Sequence, residues 1–196
     1  MSTITLAQIA ARVAATEART PTLLVGRRAA VAMFLREGDA GPEVLLMKRK
    51  EHAGDRWSGD VSLPGGKEHF EDRDLIATAV RETLEEVGID LRHSGRLIGP
   101  LDGLRTIAEG KLLPMTITPF VFVEVAAHAL DLREEAESAF WLPLAAAASG
   151  ALDAVYSYRL GPLPLRLPCW RYQGYVVWGL THQMLRRLIE VALEGG

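Results

Sequence analysis

Residues 65–89 read Gly65-Gly66-Lys67-Glu68-His69-Phe70-Glu71-Asp72-Arg73-Asp74-Leu75-Ile76-Ala77-Thr78-Ala79-Val80-Arg81-Glu82-Thr83-Leu84-Glu85-Glu86-Val87-Gly88-Ile89. The opening is polar and begins on two glycines, as a loop would. From Asp74 the period changes. Leu75, Ile76, Ala79, Val80, Leu84 and Val87 fall on one face of a helix over 74–87. Asp72 or Asp74 caps its start, and Gly88 stands where a left-handed stop belongs. Glu82, Glu85 and Glu86 are spaced i, i+3, i+4, so the helix projects them from one side, flanking the apolar face. Three neighbouring carboxylates repel one another, and hard oxygen donors gathered in this way suit Mg²⁺ or Mn²⁺. Arg81, four residues before Glu85, can hold one carboxylate by a salt bridge. Gly65 and Gly66 let the backbone come close and turn a carbonyl toward the same cation. A solvated acidic helix end would account for Glu85-Glu86 alone. It does not account for the Gly-Gly loop, the Arg-Glu pair and the glycine stop in that order.

Upstream, Ala29–Leu35 and Val44–Lys48 are short apolar runs separated by a Gly-Asp-Ala-Gly-Pro turn, which predicts two strands. Residues 50–60 are polar and read as a loop, and Val61–Leu63 as a short extended piece entering Pro64-Gly65-Gly66. Near the start, Ile4, Ile9, Ala10 and Val13 have helical spacing, with Thr3 or Thr5 as cap and Thr-Pro-Thr at 20–22 as terminator. Downstream, Leu97–Leu101, Met115–Val125 and Ala139–Leu142 read as strands. Pro119 within the second predicts a bulge, a break or an edge. Pro143 opens a short helix over Leu144–Ala148. Val155–Leu160 and Leu163–Leu167 form a hairpin, and Val176–Leu193 an amphipathic helix. Mixed strands with a few helices predict an α+β fold. The boundaries read as an N-terminal helical extension over 1–22 and a single domain over 23–196 that includes the C-terminal helix.

Composition sets limits. The 196 residues are 48% hydrophobic and 24% charged, enough apolar content to argue against disorder. The net charge of −3 excludes a strongly basic nucleic-acid binder. A single cysteine, Cys169, excludes an intrachain disulfide and a cysteine-based zinc cluster. No run reaches the roughly 20 apolar residues of a membrane helix. The first 15 residues lack the basic start and apolar core of a secretory signal, and the expectation is a cytoplasmic protein. His52, His69, His93, His128 and His182 show no metal-ligand spacing and read as surface or structural histidines.

The segment resembles the Nudix box, Gly-x5-Glu-x7-Arg-Glu-U-x-Glu-Glu-x-Gly-U with U apolar. Gly66, Arg81, Glu82, Glu85, Glu86, Gly88 and Ile89 match it. Thr83 replaces an apolar residue. Asp72, not Glu, follows Gly66 by six positions, and eight residues separate it from Arg81. The resemblance implies an α/β/α sandwich with a central mixed sheet between helices. It also implies hydrolysis of a nucleoside diphosphate linked to another group, a small-molecule substrate, no nucleic acid, no membrane, and homodimers as a frequent state. The N-terminal helix or the 155–168 hairpin would offer the dimer surface. Glu82, Glu85 and Glu86 would be metal ligands with the Gly65 carbonyl beside them, and Arg81 would belong to the catalytic set. The general base in this superfamily is a carboxylate outside the box or one of the box glutamates. Glu135, six residues before Trp141, is the first candidate.

Further features are similar to the coenzyme A diphosphatase branch: Pro64-Gly65-Gly66, Phe120 after Pro119, Trp141-Leu142-Pro143-Leu144 and Val177-Trp178-Gly179-Leu180-Thr181. Leu45, Leu46, Arg49, Gly59, Pro64, Gly65 and Gly66 match that branch's upstream motif if one extra residue is allowed. Met47, Lys50 and Leu63 replace its Thr, Ser/Ala and Phe, and Arg56 is out of register with its second Arg. The branch implies coenzyme A or its thioesters as substrate, cleaved to 3′-phosphoadenosine 5′-phosphate and a phosphopantetheine. Other superfamily substrates are a nucleotide sugar, a dinucleotide or an oxidised nucleotide; a non-catalytic nucleotide-sensing module is the remaining reading. Arg49, Lys50 and Arg56, with Lys48 nearby and Gly66, would bind the anionic substrate. Trp57 could stack on an adenine.

Overall fold

The computed structural model describes residues 4–19, 26–51, 58–108, 111–160 and 163–194. The predicted terminator at 20–22, the loop residues Arg56 and Trp57, and the Gly161-Pro162 turn lie outside these.

A mixed sheet forms the centre. Strand β1 (Arg27–Gly38) turns through Asp39-Ala40 into β2 (Gly41–Arg49), an antiparallel hairpin closed by Gly38 opposite Gly41. Further back along β1, Ala29–Val31 pairs with β4 (Gly65–Lys67), while β3 (Val61–Ser62) pairs with β2. The other edge of β1 runs parallel to β7 (Lys111–Glu124). Beyond β7 lie β5 (Gly95–Pro100) and β6 (Leu104–Ala108), and β8 (Ala136–Pro143) pairs with the far edge of β2. Pro119 therefore sits in a central strand. The break it imposes falls on one side only, where β5 ends opposite Phe120 and β6 begins opposite Ile117; Leu101 N–H donates to the Pro119 carbonyl between them.

Alternation along β1 splits the core into two layers. Val31, Met33 and Leu35 point toward α1 (Leu6–Ala15) and α5 (Gly179–Leu193), whereas Ala30, Ala32 and Phe34 point toward α2 (Leu75–Val87). Helices thus cover both faces, the α/β/α arrangement. In α1, Thr5 and Gln8 form a reciprocal capping box, and Ile9 and Val13 are buried in the layer shared with α5. The apolar face of α1 is accordingly used within the chain. A short α3 (Leu91–Ser94) leads into β5, and α4 (Leu144–Ala148) follows Pro143 as expected. No helix among the described residues is long and apolar enough to cross a membrane.

A second, three-stranded sheet contains β9 (Asp153–Leu160), β10 (Leu163–Tyr172) and β11 (Tyr175–Trp178). The expected hairpin is β9–β10, but the expected helix over 176–193 starts at Gly179. Tyr175–Trp178 consists of β-branched and aromatic residues and pairs with Cys169–Tyr172, so cross-strand packing overrides the helical reading of its first turn.

Candidate active site

Helix α2 starts where Asp74 accepts from the Ala77 N–H (2.8 Å) and ends at Gly88 with φ 75°. Its buried residues are Thr78, Ala79, Thr83, Glu86 and Val87, while Leu84 is more than a third exposed. The stripe is therefore rotated from the expected one. Thr83 takes the inward place because its hydroxyl donates to the Ala79 carbonyl (2.7 Å) and leaves no polar group unpaired.

This phase turns Glu86 into the protein, against the glycine loop. Gly65 adopts φ 151°, and a Cβ there would come within 2.3 Å of the Ala30 carbonyl oxygen. At Gly66 a Cβ would lie 2.5 Å from a Glu82 carboxylate oxygen. At 65 only glycine lets β4 lie this close to the β1 backbone, whereas at 66 a side chain would displace the Glu82 carboxylate. Gly65 meets Glu86 through its amide, which donates to Oε2 at 2.8 Å.

Arg81 organises the carboxylates. Its Nη1 donates to Glu82 Oε1 and Glu85 Oε2, both at 2.9 Å. Its Nε and Nη2 form a fork on Asp72, at 3.0 and 2.9 Å, and Nη2 also reaches the Lys67 carbonyl. Asp72 accepts further bonds from the His69 amide and the Thr78 hydroxyl. The Arg81 bond, followed by these two, holds the Asp72 carboxyl far below the usual range. The loop residue that departs from the box pattern is thus the anchor of the box arginine.

Glu86 is 2% exposed. Burial pushes its pKa up to about 8; the Gly65 amide and Arg49 oppose this, and Glu82 and Glu135 add to it. Burial also raises Glu82, against the pull of Arg81, with Glu85 and Glu135 adding repulsion. The Arg49 guanidinium stands 3.5 Å from both Glu86 Oε1 and Glu135 Oε2. Backbone bonds fix the segment carrying Glu135. Asp131 and Arg133 N–H groups donate to the carbonyls of Val87 and Glu86, and the Lys50 N–H donates to that of Glu135.

These groups open on a cavity of about 480 Å³. Glu82, Glu86, Glu135 and Arg49 line it together with Gly65 and Gly66, and Met115, Ile117, Leu180 and Met184 supply apolar wall. The sequence-predicted residues are sorted by this. Glu82, Glu86, Glu135, Arg49, Gly65 and Gly66 come together. Glu85 stays outside the lining, turned to Arg81. Lys50 is exposed and not among the lining residues, and Lys48 pairs with Glu137 at 2.9 Å. Asp72, Lys67, His69, Asp60 and Trp178 belong to the site or its frame without having been singled out for it. The irregular loop length around Asp72 was the available signal. The donor set fits a divalent cation: hard carboxylate oxygens crowd one cavity, and burial resists their charge. Glu82 and Glu86 already face the cavity, and Glu85 would have to leave Arg81 to join them.

The family model described as the NUDIX domain matches residues 26–160. The chain belongs to the Nudix family. It is 31% identical over 177 residues to an uncharacterized Nudix hydrolase, NudL, of Citrobacter koseri, covering 88% of this chain and 85% of the relative. A Schizosaccharomyces pombe protein is 45% identical over 108 residues, 53% of this chain. The chain spans 32% of that yeast protein and 59% of a mitochondrial Nudix hydrolase of Arabidopsis thaliana. Among solved structures, a MutT/nudix family protein from Enterococcus faecalis shares the fold, with a TM-score of 0.53 at 14% identity, covering 93% of this chain and 68% of that one. Nudix hydrolases generally use divalent metal ions, in keeping with the donor set described above.

Proposed function

We propose that the chain is a Mg²⁺- or Mn²⁺-dependent hydrolase of a nucleoside diphosphate linked to another group, with coenzyme A or its thioesters as substrate. The observation that carries the hydrolase reading is the meeting of Glu82, Glu86 and Glu135 around one cavity, with Arg81 held by Asp72 behind them. Glu82, Glu85 and Glu86, with the Gly65 carbonyl beside them, would hold the cation, Glu85 giving up its contact with Arg81. A bound divalent cation supplies neutralisation of phosphate charge and a lowered pKa for the attacking water. Glu135, which lines the cavity beside Arg49, takes the water proton as the new O–P bond forms. The bridging P–O bond breaks and its electron pair leaves with the second phosphate. Arg49 is placed to exchange its contacts with Glu86 and Glu135 for a phosphate oxygen.

The coenzyme A reading rests on the Leu45, Leu46, Arg49 and Pro64-Gly65-Gly66 matches and on the mixed wall of the cavity. Charged groups at one part suit a diphosphate; Met115, Ile117, Leu180 and Met184 suit the largely apolar pantetheine chain. A turnover panel with Mg²⁺ tests it. Release of 3′-phosphoadenosine 5′-phosphate from coenzyme A is expected. Cleavage of a nucleotide sugar or dinucleotide with coenzyme A untouched would overturn the substrate. No hydrolysis of any diphosphate would overturn the enzyme reading in favour of nucleotide sensing.

A further inference from the structure

Trp178 ends β11 at the edge of the second sheet and lines the cavity. Its indole is fixed from two directions. The Nε1–H donates to Asp60 Oδ1 at 3.0 Å, and Asp60 lines the same cavity. The rings of Tyr156 and Tyr158 lie against it with centroids 4.7 and 5.3 Å away, each tilted by 34°. Two residues apart on β9, these tyrosines share one face of the strand, so the hairpin backs the indole with a row of aromatic rings. The result is a stiff π-surface with its polar edge already satisfied, set in a wall that also contains the catalytic carboxylates. Ser62, on neighbouring β3, lines the cavity too, and its hydroxyl is buried with no hydrogen-bond partner among the described residues.

We infer that Trp178 is the stacking wall for the nucleobase of the substrate. The inference rests on the nucleoside-diphosphate reading above. A flat, preorganised ring loses little entropy when a base covers it, and stacking accepts any base, so the wall supplies affinity for the base without choosing among bases. Trp57, the stacking candidate of the sequence reading, lies outside the described residues.

The test compares two substrates in the full chain with Mg²⁺: coenzyme A, and a diphosphate diester of similar length that lacks a base. In Trp178→Leu, the preference in kcat/KM for coenzyme A over the base-free diester falls about tenfold or more, the range of a single base–aromatic contact, and Trp178→Phe restores most of it. A preference unchanged within about twofold in a Trp178→Leu protein with wild-type circular dichroism overturns the inference. Photolabelling of wild-type protein with 8-azidoadenosine 5′-diphosphate reads the base position without any variant. Label on the 175–181 peptide or on the peptide containing Ser62 supports the assignment, and label confined to other peptides overturns it. If wild type cleaves neither substrate, the hydrolase reading has failed, and the label still reports where the base sits.

Discussion

Replacing Glu86 by glutamine separates the cost of burying this carboxylate from its use. In the metal-free protein the folded state raises the Glu86 pKa from 4.5 to about 8, chiefly by burial. The folded chain therefore keeps a proton that the unfolded chain gives up between these two values. Stability must fall as pH rises through that window, by up to about 1.4 kcal/mol per pH unit, and level off above it. Over the whole window the loss reaches about 5 kcal/mol at full ionisation, a large share of the stability of an ordinary domain. Glutamine has the shape of the protonated acid, can still accept from the Gly65 amide, and never ionises. Glu86→Gln and wild type should thus be nearly equally stable at about pH 5 in EDTA and diverge toward pH 8, the variant becoming the more stable by several kcal/mol. Urea unfolding followed by tryptophan fluorescence, extrapolated to zero denaturant at each pH, measures the difference. With Mg²⁺ present, the same variant should lose turnover by orders of magnitude while remaining folded. A stability difference that stays constant between about pH 5 and pH 8 would refute the buried-acid argument, and a fully active variant would refute the ligand role.

Cation affinity should follow the same proton. Because a bound ion must displace it, Mn²⁺ affinity measured calorimetrically should rise by up to about tenfold per pH unit below pH 8, and a flat profile would contradict this. Asp72→Asn removes the charge from the fork on Arg81; we expect about 2 kcal/mol of lost stability and roughly tenfold lower kcat, with wild-type kcat as the opposing result. Glu135→Gln should lower kcat by about 10²-fold or more with little change in KM if this carboxylate accepts the water proton, and unchanged kcat would release it from that duty.

The parts of this fold that could be read from the sequence are those whose signals are local. Helix α2 is one: its cap at Asp74, its stop at Gly88 and its spacing of carboxylates all lie within 15 consecutive residues. The β1–β2 hairpin and the α1 cap are others. What the sequence hid depends on partners distant along the chain. Thr83 and Leu84 point about 100° apart on the helix, and only the elements facing α2 decide which of them turns inward. Tyr175–Trp178 satisfies a helical and an extended pattern equally until β10 lies beside it. Asp72 looked like a cap or a misplaced box residue, because nothing in the spacing shows that Arg81 folds back nine positions to reach it. In the site, the box carboxylates were readable as a group, but the pairing of Arg49 with both Glu86 and Glu135 crosses two elements far apart in the chain.

The bonds from the Asp131 and Arg133 amides to the last turn of α2 satisfy carbonyls that any helix end leaves open. They also fix where the proposed proton acceptor Glu135 stands relative to α2, and they do so with main-chain atoms alone. Position 135 is in effect a socket: the side chain plugged into it can change without shifting its mounting. On the proposed mechanism, exchanging the side chain at 135 changes the acid-base chemistry of the reaction while its mounting stays in place.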